Sequence, residues 1–226
     1  MHGHNKQDFP ELNYTMISLI SNKVNILIVG GGEAAFIKCR TFSKDGCNIT
    51  VVSKEFSHLF ESLKATNIKL IKSEYDKSYI EHNHIVIIAT DNEETNRDIK
   101  VDCDKNNKLY IHCADFKEGL IVTPVQKDTP NMKFALHTKN SSPKTALFMS
   151  NVIEDKLMEY NGFIDYTSLI RNMIKKMELK KEIMNFICSK DFYFFYTMGA
   201  QNNILEMFYG TEIGVQESSG GMNYED

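Results

Sequence analysis

The stretch that most constrains this chain is Lys23 to Ala35, KVNILIVGGGEAA. Val24, Ile26, Leu27, Ile28 and Val29 make a short, nearly continuous apolar run rich in β-branched residues, the pattern of a strand buried on both faces of a parallel sheet. Three glycines end it, and Glu33 to Phe42 then sets Ala34, Ala35, Ile37 and Phe42 at roughly helical spacing. Gly30, Gly32 and Ala35 therefore read as G-x-G-x-x-A at a strand-to-helix turn. At that spacing Gly30 permits a tight turn, Gly32 lets the backbone approach a pyrophosphate, and Ala35 keeps the helix close to the strand. The helix N-terminus then faces the phosphate charge. Gly30, Gly31, Gly32, Glu33, Ala34 and Ala35 are thus the expected cofactor loop.

The surroundings support that reading. Ile49 to Val52 forms a second strand at the right distance, followed by Ser53, Lys54 and Glu55. In the ordinary fingerprint an acid about 20 residues on holds the adenosine ribose. Ser53 is the expected occupant here, with Lys54 beside it and Glu55 two residues on, which leaves NAD and NADP both open. Phe56 to Ala65 is helical in pattern, Ile68 to Ile71 is a strand, and Tyr75 to Ile80 is a short helix or turn. The next strand, Ile85 to Ala89, runs into Thr90-Asp91-Asn92 at the sheet edge where open α/β sheets bind ligands. Asp91 or Asn92 can cap the following helix, and Asn96 lies in its first turns. Thr90, Asp91 and Asn96 complete the expected cofactor set. A further strand, Leu109 to Cys113, ends near Asp115, a carboxylate placed to act as acid or base beside a nucleotide if the strand end is buried. Asp115 can equally be a turn or cap residue.

Beyond Asp115 the pattern changes. Leu120 to Val125 and Met132 to Leu136 read as a hairpin around Thr129-Pro130. Ser141-Ser142-Pro143 puts an N-cap before a first-turn proline, so a helix is expected from Pro143 to about Glu159. The chain then reads as helical to about Tyr209, with amphipathic segments at Tyr166 to Met177 and Leu179 to Cys188. Phe192 to Tyr196 suits a core or a subunit seam, and Gly210 onward a disordered tail. Residues 1–13 read as a loose polar leader in which His2 and His4 are solvated, and Tyr14 to Leu19 as an edge strand or a cover for the first turn.

With 226 residues and 42% apolar content the chain can bury one large core or two small ones. A net charge of -4 gives no reason to expect nucleic acid. The five cysteines are scattered without C-x-x-C spacing, which suits a reduced, cytoplasmic chain. No apolar run approaches membrane-spanning length, and the N-terminus lacks the pattern of a signal peptide. His82 and His84 lack a third convergent ligand, so no metal is expected. No Tyr-x-x-x-Lys pair is present, which argues against a short-chain oxidoreductase.

The order of parts resembles the precorrin-2 dehydrogenase and sirohydrochlorin ferrochelatase family over roughly Tyr14 to Phe208. The residues that carry the likeness are ILIVGGGEAAFIKCR, for V-G-G-G-x-x-A-x-x-K; IIATDNEETN, for A-T-D-x-x-x-x-N; Pro124; and SPKTALFMSNVIEDKL, for the family's S-P-x-x-A helix. The resemblance implies NAD-dependent oxidation of precorrin-2 to sirohydrochlorin, with Fe(II) insertion in bifunctional members. It also implies a homodimer built from a Rossmann domain (1–114), a dimerisation segment (115–150) and a helical domain (151–210) that helps form the tetrapyrrole cleft. It carries the family's functional aspartate onto Asp115. His112, Thr138, Lys139, Ser142 and Lys144 become the expected substrate contacts, the lysines pairing with tetrapyrrole carboxylates. The family's glycines before the S-P helix are replaced here by His137-Thr138-Lys139-Asn140-Ser141. That departure keeps two other readings open: a nucleotide-sensing module, and a non-catalytic tetrapyrrole-binding protein.

Overall fold

In the computed structural model, which describes residues 13–139, 142–210 and 213, the apolar run becomes the strand Asn25–Val29 (β1). It is followed by the helix Glu33–Lys44 (α1), Asn48–Ser53 (β2), Ile68–Lys72 (β3), Ile85–Ile88 (β4), Glu93–Lys105 (α2) and Leu109–His112 (β5). The five strands pair in parallel in the order β3-β2-β1-β4-β5. The order reverses between β1 and β4, the position at which doubly wound sheets open a crevice at their carboxyl ends.

Burial on both faces explains the unbroken apolar runs. Ile26 and Ile28 of β1, with Ile85 and Ile87 of β4, face a cluster that includes Ala35, Cys39 and Phe42 of α1. Leu27, Val29, Val86 and Ile88 face the opposite cluster with Ile99 and Cys103 of α2. Ile26, Leu27 and Ile28 are fully buried, each contributing roughly 1.5–3 kcal/mol of hydrophobic stabilisation.

Two compact units divide the chain, Met1–Thr123 and Pro124–Asp226, so the segment expected to serve dimerisation over 115–150 draws on both. In the second unit, Val125–Asp128 (β6) and Lys133–Leu136 (β7) form an antiparallel hairpin, closed by Thr129 N donating to Met132 O at 2.8 Å. The helix Pro143–Met158 (α3) packs on both strands, and its Glu154 pairs with Lys127 of β6 at 2.6 Å. The helices Asn161–Met173 (α4), Lys180–Ile187 (α5), Lys190–Thr197 (α6) and Gln201–Tyr209 (α7) enclose Ile170, Ile183, Ile187, Phe192 and Leu205.

Several local expectations are corrected. Tyr14 to Leu19 is not an edge strand; Met16 and Ile17 are exposed and the segment joins no sheet. Phe56 to Ala65 contains only a 3-10 helix, His58–Ser62, although Phe56, Leu59, Phe60 and Leu63 all pack against the α1 cluster. The first hairpin strand starts at Val125, where the expected one ended; residues 120–124 are irregular, with Leu120 N and Ile121 N both donating to Tyr110 O instead. Ile213, assigned to a disordered tail, is 1% exposed and packs in the helical core. The rest of that tail beyond residue 210, the leader through residue 12 with His2 and His4, and Asn140 and Ser141 lie outside the described residues. Among the described residues, no helix is long and apolar enough to cross a membrane.

Candidate dinucleotide site

The three glycines do different work. Gly30 holds φ +125°, and a Cβ there would lie 2.1 Å from Ala89 O at the end of β4. At Gly31 a Cβ would lie 2.0 Å from Glu55 O and 2.7 Å from Ser53 Oγ. Both glycines are therefore required by the fold, one on each side of the turn. At Gly32 a Cβ would meet nothing within 4 Å. Gly32 is the extended N-cap of α1, and its carbonyl accepts from Phe36 N at 3.0 Å. The open space lies where the helix leaves its first backbone N–H groups without intrahelical partners. Glu33 and Ala34 are exposed beside it, and Ala35 is buried against the sheet.

On one flank, Gly30 N donates to Val52 O and Ser57 N to Gly31 O, each at 2.9 Å. Ser57 Oγ is buried and has no hydrogen-bond partner in the structure. Ser53 Oγ donates to Glu55 O at 2.6 Å, and Ser73 N donates to Ser53 O at 3.0 Å, which brings the end of β3 into the corner. There Lys54 pairs with Glu74 at 2.8 Å, both side chains exposed. The hydrogen bond and charge of Lys54 hold the Glu74 carboxyl below its ordinary value.

On the other flank, Thr90 and Asn96 clasp the β4–α2 turn. Thr90 Oγ1 donates to Asn96 Oδ1 at 2.7 Å, and Asn96 Nδ2 donates to Thr90 O at 3.0 Å. Asn92 N donates to Thr90 Oγ1, and the Asn92 side chain caps α2 by accepting from Thr95 N at 2.8 Å. Between the two cap candidates it is thus Asn92 that caps; Asp91 is exposed.

Asp115 is exposed rather than set at a buried strand end, because the chain leaves β5 and turns outward in a 3-10 helix, Phe116–Glu118. Its carboxylate accepts from Lys117 N at 3.0 Å, and its own N donates to His112 Nδ1 at 3.0 Å. His112 thus orients the Asp115 backbone. Lys38, on α1, donates from Nζ to Thr123 Oγ1 at 2.8 Å. Burial pushes its ammonium below the ordinary value, and the nearby Cys113 acts in the opposite sense. The second unit holds the remaining expected substrate residues. Thr138 Oγ1 accepts from Ser142 N at 2.8 Å, Ser142 Oγ lies 2.8 Å from Thr145 Oγ1, and Lys139 and Lys144 are exposed.

Spacing did not single out Ser57, Ser73, Glu74 or Lys38. Lys38 stood in the quoted glycine-loop pattern, but nothing in the sequence says that its amine turns toward Thr123. Ser73 and Glu74 reach the corner only through the β2–β3 pairing. Among the described residues, no group of three or more His, Cys, Asp and Glu side chains could hold a metal ion.

Residues 17–125 match a family model described as putative NAD(P)-binding. A precorrin-2 dehydrogenase of Priestia megaterium is 24% identical over 162 residues, covering 70% of this chain and 78% of that protein. A siroheme synthase of Psychrobacter sp. (strain PRwf-1) is 39% identical over 79 residues, 34% of this chain. The chain spans 16% of the length of that relative and 14% of a second, from Psychrobacter arcticus. The solved structure of SirC, a precorrin-2 dehydrogenase, shares the fold with a TM-score of 0.66 at 20% identity, over 87% of this chain and 98% of that one.

Proposed function

We propose, from the chain's likeness to precorrin-2 dehydrogenases and siroheme synthases and its match to a putative NAD(P)-binding family, that it oxidises precorrin-2 to sirohydrochlorin with NAD as hydride acceptor. The observation that carries the reading is the open space at Gly32, directly after two glycines, Gly30 and Gly31, at which a Cβ would run into neighbouring backbone. Gly30, Gly31 and the N-terminus of α1 would hold the pyrophosphate, the Ser53–Glu55 corner the adenosine ribose, and Thr90 and Asn96 the edge of β4. The unpartnered Ser57 Oγ behind the loop fits a site completed by a polar ligand.

Bound there, the nicotinamide supplies the redox chemistry. The protein's part is to orient the substrate, exclude water and accept the proton released as hydride leaves. Asp115 is the proposed acceptor: its turn is pinned by His112, and one carboxylate oxygen is held by Lys117 N. Thr138, Lys139, Ser142 and Lys144 are proposed to engage the tetrapyrrole's carboxylates. A homodimer in a reducing cytoplasm completes the proposal, supported by the exposed Leu147, Phe148 and Val152 on α3 and by the absence of paired cysteines from the described residues. Fe(II) would enter only as the substrate of a chelatase step.

The test follows absorbance anaerobically with precorrin-2, the protein and NAD. Sirohydrochlorin and reduced nicotinamide should form together. Asp115→Asn, whose amide oxygen can still cap Lys117 N, should lower turnover about 100-fold or more with NAD binding retained. Unchanged turnover removes Asp115 from the mechanism. NAD binding without any turnover by the native chain shifts the reading to a nucleotide-sensing module.

A further inference from the structure

We propose that Glu74 makes the ribose corner select the unphosphorylated dinucleotide, NAD, over NADP, by occupying Lys54; the proposal rests on the dinucleotide reading above and names the discriminating residue within it.

The corner is built from two strand ends. β2 delivers Ser53, Lys54 and Glu55, and β3 delivers Lys72 and Glu74, joined by Ser73 N donating to Ser53 O at 3.0 Å. The would-be Cβ of Gly31 lies 2.0 Å from Glu55 O, so this corner is the wall of the glycine loop itself and not a remote surface. The position where an acid usually takes the ribose hydroxyls is Ser53, and its hydroxyl donates to Glu55 O at 2.6 Å. A neutral residue followed by a lysine is a sequence that could admit a 2′-phosphate, since a cation is what accommodates that group.

The structure counters that with Glu74. Its carboxylate holds Lys54 Nζ at 2.8 Å. The Lys54 charge is thereby matched by the Glu74 carboxylate. A 2′-phosphate arriving there meets a lysine already paired and the Glu74 carboxylate, while the hydroxyls of NAD bring no charge to repel. Because the pair is exposed, its contribution is modest and screened by salt. The discrimination is correspondingly a matter of ratio and not of exclusion.

Isothermal titration of the full chain with NAD and with NADP, in low salt, tests this. The native chain should bind NAD more tightly. Glu74→Gln should raise the NADP-to-NAD affinity ratio by about fivefold, and the gain should shrink at high salt. In the Lys54→Ala, Glu74→Gln double variant the gain should disappear. A ratio unchanged by Glu74→Gln, or a gain that persists without Lys54, overturns the assignment. Failure of the native chain to bind either dinucleotide overturns the dinucleotide reading itself, and this proposal with it.

Discussion

Thr90 and Asn96 hold each other reciprocally: the threonine hydroxyl donates to the asparagine oxygen at 2.7 Å, and the asparagine amide donates to the threonine carbonyl at 3.0 Å. Asn96 is only 7% exposed, so its amide is satisfied by this clasp in place of water. The clasp fixes the turn that follows β4, directly across the strand-order reversal from Gly30.

Asn96→Ala should therefore remove the donor to Thr90 O, leave Thr90 Oγ1 with Asn92 alone, and cost about 1–3 kcal/mol of stability. Urea denaturation gives the stability, and titration with NAD should show weakened binding in the same variant. Native stability in Asn96→Ala would mean the clasp is replaced by water without penalty.

The glycine loop offers a sharper separation of fold from ligand. Gly30→Ala forces a side chain onto φ +125° and against Ala89 O, and should cost at least about 3 kcal/mol or prevent soluble expression. Gly32→Ala meets nothing within 4 Å and should change stability by less than about 1 kcal/mol. Yet it fills the space assigned to the pyrophosphate, and binding of NAD should fall about tenfold or more, equivalent to ~1.4 kcal/mol. Equal effects of the two variants on stability would contradict the division of labour among these glycines.

The contrast also marks what sequence could and could not disclose. A run such as Ile26 to Val29 has no polar face, so burial on both sides and a parallel sheet followed from the residues alone, and the strand-order reversal at Gly30 agrees with it. The Asn92 cap and the Pro143 start of α3 are local signals and were legible. Phe56 to Ala65 misled because apolar residues at helical spacing do not reveal which helix they will form; Phe56, Leu59, Phe60 and Leu63 all reach the core, and a short 3-10 helix suffices to bring them there. Asp115 was visible as a carboxylate at a strand end, but its exposure depends on where the chain turns after His112. The Lys54–Glu74 and Lys38–Thr123 contacts join residues 20 and 85 positions apart, and no local pattern encodes them.

Thiol chemistry should follow burial. Burial pushes the Cys39 thiol up to about 11 and, with help from neighbouring aspartates, the Cys103 thiol up to about 12, while Cys188 is exposed. With Ellman's reagent at pH 8, Cys188 should react first and the half-buried Cys113 more slowly. Cys39, Cys47 and Cys103 should react only after denaturant is added. Peptide mapping of the labelled chain checks the order, and rapid native labelling of Cys39 or Cys103 would show that the α1 or α2 face opens readily.

Lys38 carries a pH signature with a definite sign. Its ammonium is held below the ordinary 10.5 mainly by burial. Below its lowered folded value, lysine is charged in both folded and unfolded chains, and the full cost of burying the charge is present. Between that value and 10.5 the unfolded chain binds the extra proton, so this group makes stability rise with pH, by at most about 1.4 kcal/mol per pH unit. Above 10.5 both states are neutral and the cost is gone. Lys38→Met removes the titration, so stability differences between native and variant chains, measured by denaturant from pH 7 to 10.5, should move in favour of the native chain as pH rises. Cys113 faces the same amine, and burial raises its thiol while Lys38 opposes the rise. The comparison is therefore repeated with Cys113→Ala in both chains. A flat difference across the range would mean that the Lys38 ammonium is solvated in the folded chain and does not anchor Thr123 from within the protein.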